Sequence, residues 1–149
     1  RLGAPAKRII GRSAAVLARA PDNALLRKRH ADILAATGDE KRARHAYLDL
    51  VEAHPENAYL SFAASQFLIR SGQVGEGEEL ALRAASTPTC SAAIHGEAGR
   101  ILLRLDAPSE ALPQLQIARR LCPSYGRFEN QIARIEEKLA KATAQKLPV

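Results

Sequence analysis

Prolines at positions 21, 55, 88 and 123 divide the chain at intervals of 34, 33 and 35 residues, and this spacing constrains the fold more than any other feature. Proline alone would be weak evidence. At a period of 34, however, Leu34, Leu68 and Leu102 share a column, as do Ile33, Phe67 and Ile101, and Leu26, Leu60 and Ile94. Small residues coincide as well: Ala24, Ala58 and Ala92; Ala31, Ser65 and Gly99; Ala43, Gly77 and Ala111. Gly38 and Gly72 fall where the third copy has Asp106. So many independent columns in one register mark a repeated unit. Such a unit can bury only one apolar face alone, so neighbouring copies must stack and share a core.

Each copy reads as helix, short turn, helix. In the first, Ala24, Leu26, His30, Ala31, Ile33 and Leu34 recur at three- and four-residue steps, the period of one helix face. Gly38-Asp39 breaks it, and Ala43, Ala46, Tyr47, Leu50 and Val51 form a second stripe that closes before Pro55. The second copy repeats this with a break at Ser71-Gly72, and the third with Asp106-Ala107-Pro108. Before them, residues 6–20 match the second helix of a copy whose first helix is missing. After them, Tyr125, Phe128, Ile132, Ile135 and Leu139 form an apolar stripe over 124–141, backed by Glu129, Asn130, Glu136, Glu137 and Lys138. A polar-backed last helix closes the exposed end of a stacked array. The expected layout is one domain over 1–149: a leading helix at 6–20, copies at 24–55, 58–88 and 92–123, and a capping helix at 124–141.

Composition agrees. The apolar 46% is carried by Ala, Leu and Ile, with three Phe, three Tyr and no Trp, which suits closely packed thin helices and not a β-sandwich. No stretch approaches the ~18 apolar residues that span a bilayer, so a soluble segment, cytoplasmic or periplasmic, is expected. The chain opens on Arg1 without methionine and reads as part of a longer protein; its Ala/Arg-rich usage hints at a bacterial one. Of the net charge of +6, residues 1–54 hold 11 Lys/Arg against 6 Asp/Glu, concentrated in Arg27-Lys28-Arg29 and Lys41-Arg42-x-Arg44. Such a cluster attracts an acidic partner or a polyanion, unless it is simply a solvated helix face.

The repeat resembles the tetratricopeptide family over roughly residues 24–123. Its small residue midway through the first helix is matched by Ala31, Ser65 and Gly99, and the one early in the second by Ala43, Gly77 and Ala111. The large apolar residue four later is Tyr47 and Leu115, but only Ala81 in the middle copy. The closing proline is Pro55 and Pro123, with Pro88 one position early. The first-helix aromatic positions hold Arg27, Ser61 and His95, and Leu34, Leu68 and Leu102, so the copies are degenerate.

The resemblance implies an all-α, right-handed solenoid of helix-turn-helix repeats, a protein-binding scaffold and not an enzyme. In the family, first helices line a groove that holds a peptide or a partner helix. By matching position the groove residues here are Lys28 and Asp32; Tyr59, Phe62, Gln66 and Arg70; and Glu97, Arg100 and Arg104. Aromatic and Arg side chains there would anchor a partner. Some members clamp a terminal carboxylate with Lys and Asn. Lys28 fits one clamp position, but Asp32 and Ala63 replace the asparagines, so that specificity is not expected.

Signs of other chemistry are incomplete. His95-Gly96-Glu97 has the H-x-E form of zinc deaminases but lacks the paired cysteines that would hold the metal, and Cys90 and Cys122 are too far apart in sequence for a CxxC clip. Gly72-x-x-Gly75-x-Gly77 lacks both the preceding strand and the Lys-Ser/Thr of a phosphate loop. Neither cofactor nor metal is called for. Two alternatives to a protein partner remain: a polyanion at the basic amino-terminal part, against which the scarcity of aromatics near Arg27–Arg44 argues, and self-association through the leading helix.

Overall fold

A computed structural model describes residues 3–89 and 91–144. Cys90, and with it the question of a Cys90–Cys122 pairing, lies outside the described residues. Eight helices and no strand occur among them: α1 (Ala4–Leu17), α2 (Ala24–Ala36), α3 (Glu40–Ala53), α4 (Ala58–Arg70), α5 (Val74–Ser86), α6 (Ala92–Arg104), α7 (Pro108–Leu121) and α8 (Arg127–Ala144). None of these is long and apolar enough to cross a membrane. The chain divides into two compact units between Leu80 and Ala81, within α5.

Local chemistry places the helix ends. The side chains of Asn23, Asp39 and Asn57 accept hydrogen bonds from the backbone N–H of Leu26, Arg42 and Leu60 at 3.0, 3.3 and 3.2 Å, each satisfying a donor that the first turn leaves open. At the carboxyl ends of α2, α4 and α6 one bond recurs in register. Asp39, Gln73 and Ala107 each donate their N–H to the carbonyl five residues back, on Leu34, Leu68 and Leu102, each at 2.9 Å. The residue before each donor must take a positive φ: Gly38 at 81°, Gly72 at 82° and Asp106 at 55°. Asp106 thus adopts the backbone of the glycines whose column it shares.

In the first unit, α1 packs on α2, α2 on α3 and α3 on α4. Its core joins Ile10, Ala31, Leu34, Tyr47, Val51, Ala64, Phe67, Leu68 and Leu80. Ser13 Oγ lies 2.7 Å from His30 Nδ1, joining α1 to α2, and 2.9 Å from the Ile10 carbonyl. The hydroxyl has one proton; given to Ile10, it leaves His30 to donate from Nδ1. Gly77 is buried because α5 meets α4 there: a Cβ would lie 2.7 Å from Ile69 Cγ1 and 2.9 Å from the Ser65 carbonyl oxygen.

In the second unit, α6 packs on α7 and α7 on α8, around Ala111, Leu115, Ala118, Phe128, Ile132 and Ile135. A Cβ on Gly99 would fall 2.6 Å from Leu115 Cγ. His95, at a family aromatic position, is buried, and its Nδ1 lies 2.8 Å from Gln114 Oε1, tying α6 to α7. Tyr125, read from the sequence as the first member of the terminal stripe, instead sits in the turn before α8 and is 46% exposed. The stripe begins at Phe128.

Candidate partner-binding faces

The first unit brings together four of its six sequence-derived candidates, Lys28, Asp32, Tyr59 and Arg70, in two groups that share Asp32. Lys28 and Asp32 lie one turn apart on α2 and pair at 2.9 Å. Lys28 Nζ also stands 5.4 Å from the ring centre of Tyr59 on α4, a cation–π distance. Burial works against the Lys28 charge, but the Asp32 carboxylate and Tyr59 more than offset it, so its pKa lies above the ordinary amine value. Tyr59 is exposed, Phe62 half-buried, and Gln66 and Arg70 exposed along the same face of α4. Lys28 is thus paired with a carboxylate of its own helix.

A cleft of about 440 Å³ opens beside this pair, lined by Asp32, Glu40, Tyr47, Phe67, Arg70 and Ser71 among others. Its floor is aromatic: the Tyr47 and Phe67 rings stack with centres 4.9 Å apart. The Tyr47 hydroxyl donates to Asp32. Burial, followed by the hydrogen bond to Asp32 and its negative charge, raises the Tyr47 pKa far above the usual phenol range, with Arg70 pulling the other way. Tyr47 and Phe67 read in the sequence as core positions and nothing more. They do pack in the core, but one edge of each borders the cleft.

In the second unit, Glu97 and Arg100 on α6 form an ion pair, with Arg100 Nε 2.9 Å from Glu97 Oε2. That hydrogen bond is the main reason the guanidinium pKa is raised. Arg104 is exposed one turn further on and does not line the cleft that the other two border. This second cleft, of about 450 Å³, lies between Ala92, Ala93, Gly96, Glu97 and Arg100 of α6 and Cys122, Tyr125, Arg127, Phe128 and Gln131. Tyr125 meets Phe128 edge-on, ring centres 4.9 Å apart. A Cβ on Gly96 would lie 2.7 Å from Phe128 Cε1, so the ring would have to shift to admit one.

The positional match gave Glu97 and Arg100 but none of the other walls of this cleft, although a signal for them existed. One period apart, Leu25, Tyr59 and Ala93 share a column, and so do Lys28, Phe62 and Gly96. Where the first two copies carry large side chains, the third carries a methyl and a hydrogen. The notch so formed is walled by residues from the turn before α8 and from α8 itself, outside the repeat pattern.

These helix pairs, joined by turns with a common hydrogen-bond register, make the chain an all-α helical repeat of the tetratricopeptide kind. Solved structures agree on the fold. YrrB, described as a TPR protein with an unusual peptide-binding site, matches with a TM-score of 0.71 at 20% identity, covering 89% of this chain and 70% of its own. MamA matches with a TM-score of 0.68 at 14% identity, over 88% of this chain and 77% of its own. The first TPR of Spaghetti (RPAP3), bound to the HSP90 peptide SRMEEVD, matches with a TM-score of 0.62 at 20% identity, over 78% of this chain and 93% of its own. No family model and no curated protein matches the chain.

Proposed function

We propose that the chain is a protein-interaction scaffold whose first-helix faces hold a peptide or partner helix. The observation that carries this is the first unit's face, where Lys28, Asp32 and Tyr59 converge beside a cleft floored by Tyr47 and Phe67 and edged by Arg70. Tyr and Arg are among the side chains that most often dominate binding energy. Two of the structural neighbours are described by their peptide binding.

The basic cluster supports a protein partner better than a polyanion. Lys28, Arg42 and Arg44 are each paired with a carboxylate, Asp32, Asp39 and Glu76 respectively. Half of the six cations are therefore already neutralised. Peptides selected by display on the whole chain test the reading. Tyr59→Ala should weaken their capture by about 2 kcal/mol, the scale of an aromatic anchor, with Arg70→Ala additive to it. The melting temperature should not change, and Lys41→Ala on α3 should have no effect. Selected peptides that bind all variants equally would refute the assignment, and steep loss of DNA binding from about 50 mM salt upward would favour the polyanion instead.

A further inference from the structure

The geometry points to a second recognition site in the second unit: the cleft between α6 and the start of α8 takes a bulky apolar side chain of an acidic peptide, with the neighbouring carboxylate held by Arg100 and Arg127. It rests on the scaffold reading above but names the site and the chemistry of what fills it.

The apolar part follows from the walls. Ala93 and Gly96 remove the side chains that fill the corresponding columns of the other copies, and the opposite wall is the Tyr125–Phe128 pair. Phe128 is 8% exposed and fixed in the core cluster, whereas Tyr125 leaves nearly half of its surface to solvent beside the cleft. A space of about 450 Å³ is ample for one aromatic or long aliphatic side chain with its flanking backbone.

The acidic part follows from charge. Glu97 engages Nε and Nη2 of Arg100, which fixes the guanidinium and leaves Nη1 without a recorded partner among the described residues. Arg127 lines the same cleft from α8, and no hydrogen bond or ion pair is recorded for it among those residues. Two guanidinium groups against one carboxylate give the cleft a positive rim. From Ala81 to Val149 the sequence holds 10 Lys/Arg and 6 Asp/Glu, so the surrounding unit carries +4. A free carboxylate can be received bidentately by either arginine. A basic or neutral partner would leave these donors unpaired.

Cys122 borders the cleft and is half-buried, which supplies a local reporter on the unmodified chain. The probe is the peptide Ser-Phe-Asp-Glu-Ser, blocked at both ends so that no terminal carboxylate contributes. Its controls replace Asp-Glu by Asn-Gln, or Phe by Ala. Alkylation of Cys122, read by mass spectrometry on the tryptic fragment 121–127, should slow severalfold when the acidic peptide is bound. Fluorescence anisotropy should show both control peptides about tenfold weaker, the scale of one charge-assisted hydrogen bond or one buried aromatic contact. Arg127→Glu should weaken the acidic peptide by a similar factor, and Ala93→Trp should abolish the protection; both positions are exposed, and circular dichroism checks that the fold is kept. Binding without protection of Cys122, or equal binding of the neutral peptide, would overturn the inference and leave the scaffold reading intact, because Tyr59→Ala tests that separately. Protection that grows with protein concentration alone would assign the cleft to a second copy and would also overturn it. No binding of any of the three peptides would do the same.

Discussion

The close crossing of α4 and α5 can be tested within one helix. Gly75 and Gly77 are the second and fourth residues of α5, so replacing either with alanine brings a gain in helix propensity below the about 1 kcal/mol of an interior position. Their surroundings differ. A Cβ at Gly75 meets nothing within 4 Å, whereas one at Gly77 would lie 2.7 Å from Ile69 Cγ1, 2.9 Å from the Ser65 carbonyl oxygen and 3.0 Å from the Ile69 nitrogen. Ile69 can rotate its side chain, but the two backbone atoms belong to α4 and yield only if that helix moves. Overpacking of this kind costs about 1–3 kcal/mol. Gly75→Ala should therefore stabilise by less than about 1 kcal/mol, and Gly77→Ala should come out about 1–3 kcal/mol less stable than Gly75→Ala, the overpacking cost alone. Urea titrations followed by far-ultraviolet circular dichroism would show midpoints moving in opposite directions. In thermal melts the gap between the variants should be roughly 2–12 °C, at about 2–4 °C per kcal/mol for a chain of this size. If Gly77→Ala proves as stable as Gly75→Ala, the small-residue column does not mark a close helix contact, and the packing argument built on it fails.

Three further outcomes follow from single groups. Ser65 is fully buried, and its hydroxyl has no hydrogen-bond partner among the described residues. Ser65→Ala, the residue the first copy uses in this column, should stabilise by about 1 kcal/mol in the same titration. Asp106 holds φ at 55° where the other copies have glycine. Asp106→Gly should relieve about 1 kcal/mol of strain, more than is lost with its exposed ion pair to Lys138, so a lower melting temperature would count against the turn assignment. Burial, and then the positive charge of Arg42, hold His30 below its ordinary pKa of 6.5. The folded state therefore prefers neutral His30. That contribution is complete above 6.5 and disappears as pH falls through the lowered value. The urea midpoint of the wild-type chain should consequently drop more from about pH 7 to about pH 5 than that of His30→Gln, and parallel drops would exclude the effect.

What the sequence shows clearly is what repeats. Ala31, Ser65 and Gly99 could be aligned because each is a small residue buried midway along the first helix of its copy, and at Gly99 even a Cβ would fall 2.6 Å from Leu115 Cγ. The left-handed turn at Asp106 was legible only through its column: aspartate is an uncommon residue for that backbone, and the two glycines in register identify the position. The six candidate positions of the first unit were found by matching, and four of them, Lys28, Asp32, Tyr59 and Arg70, make up the Lys28–Asp32–Tyr59 group or line the cleft beside it, since a face that recurs every period can be counted. Of the second cleft only Glu97 and Arg100 were found, because its other walls are departures from the period. Ala93 and Gly96 are conspicuous only as missing bulk, and Tyr125 and Arg127 come from a turn and a helix with no counterpart elsewhere in the chain. Tyr125 was misplaced for a related reason: helix periodicity extends an apolar stripe backward through Gly126, while the turn bonds from Tyr125 to Cys122 and from Phe128 to Tyr125 end the helix sooner. Repetition thus reveals the helix pairs, whereas the second cleft lies where the third copy departs from the pattern, at Ala93 and Gly96 of α6.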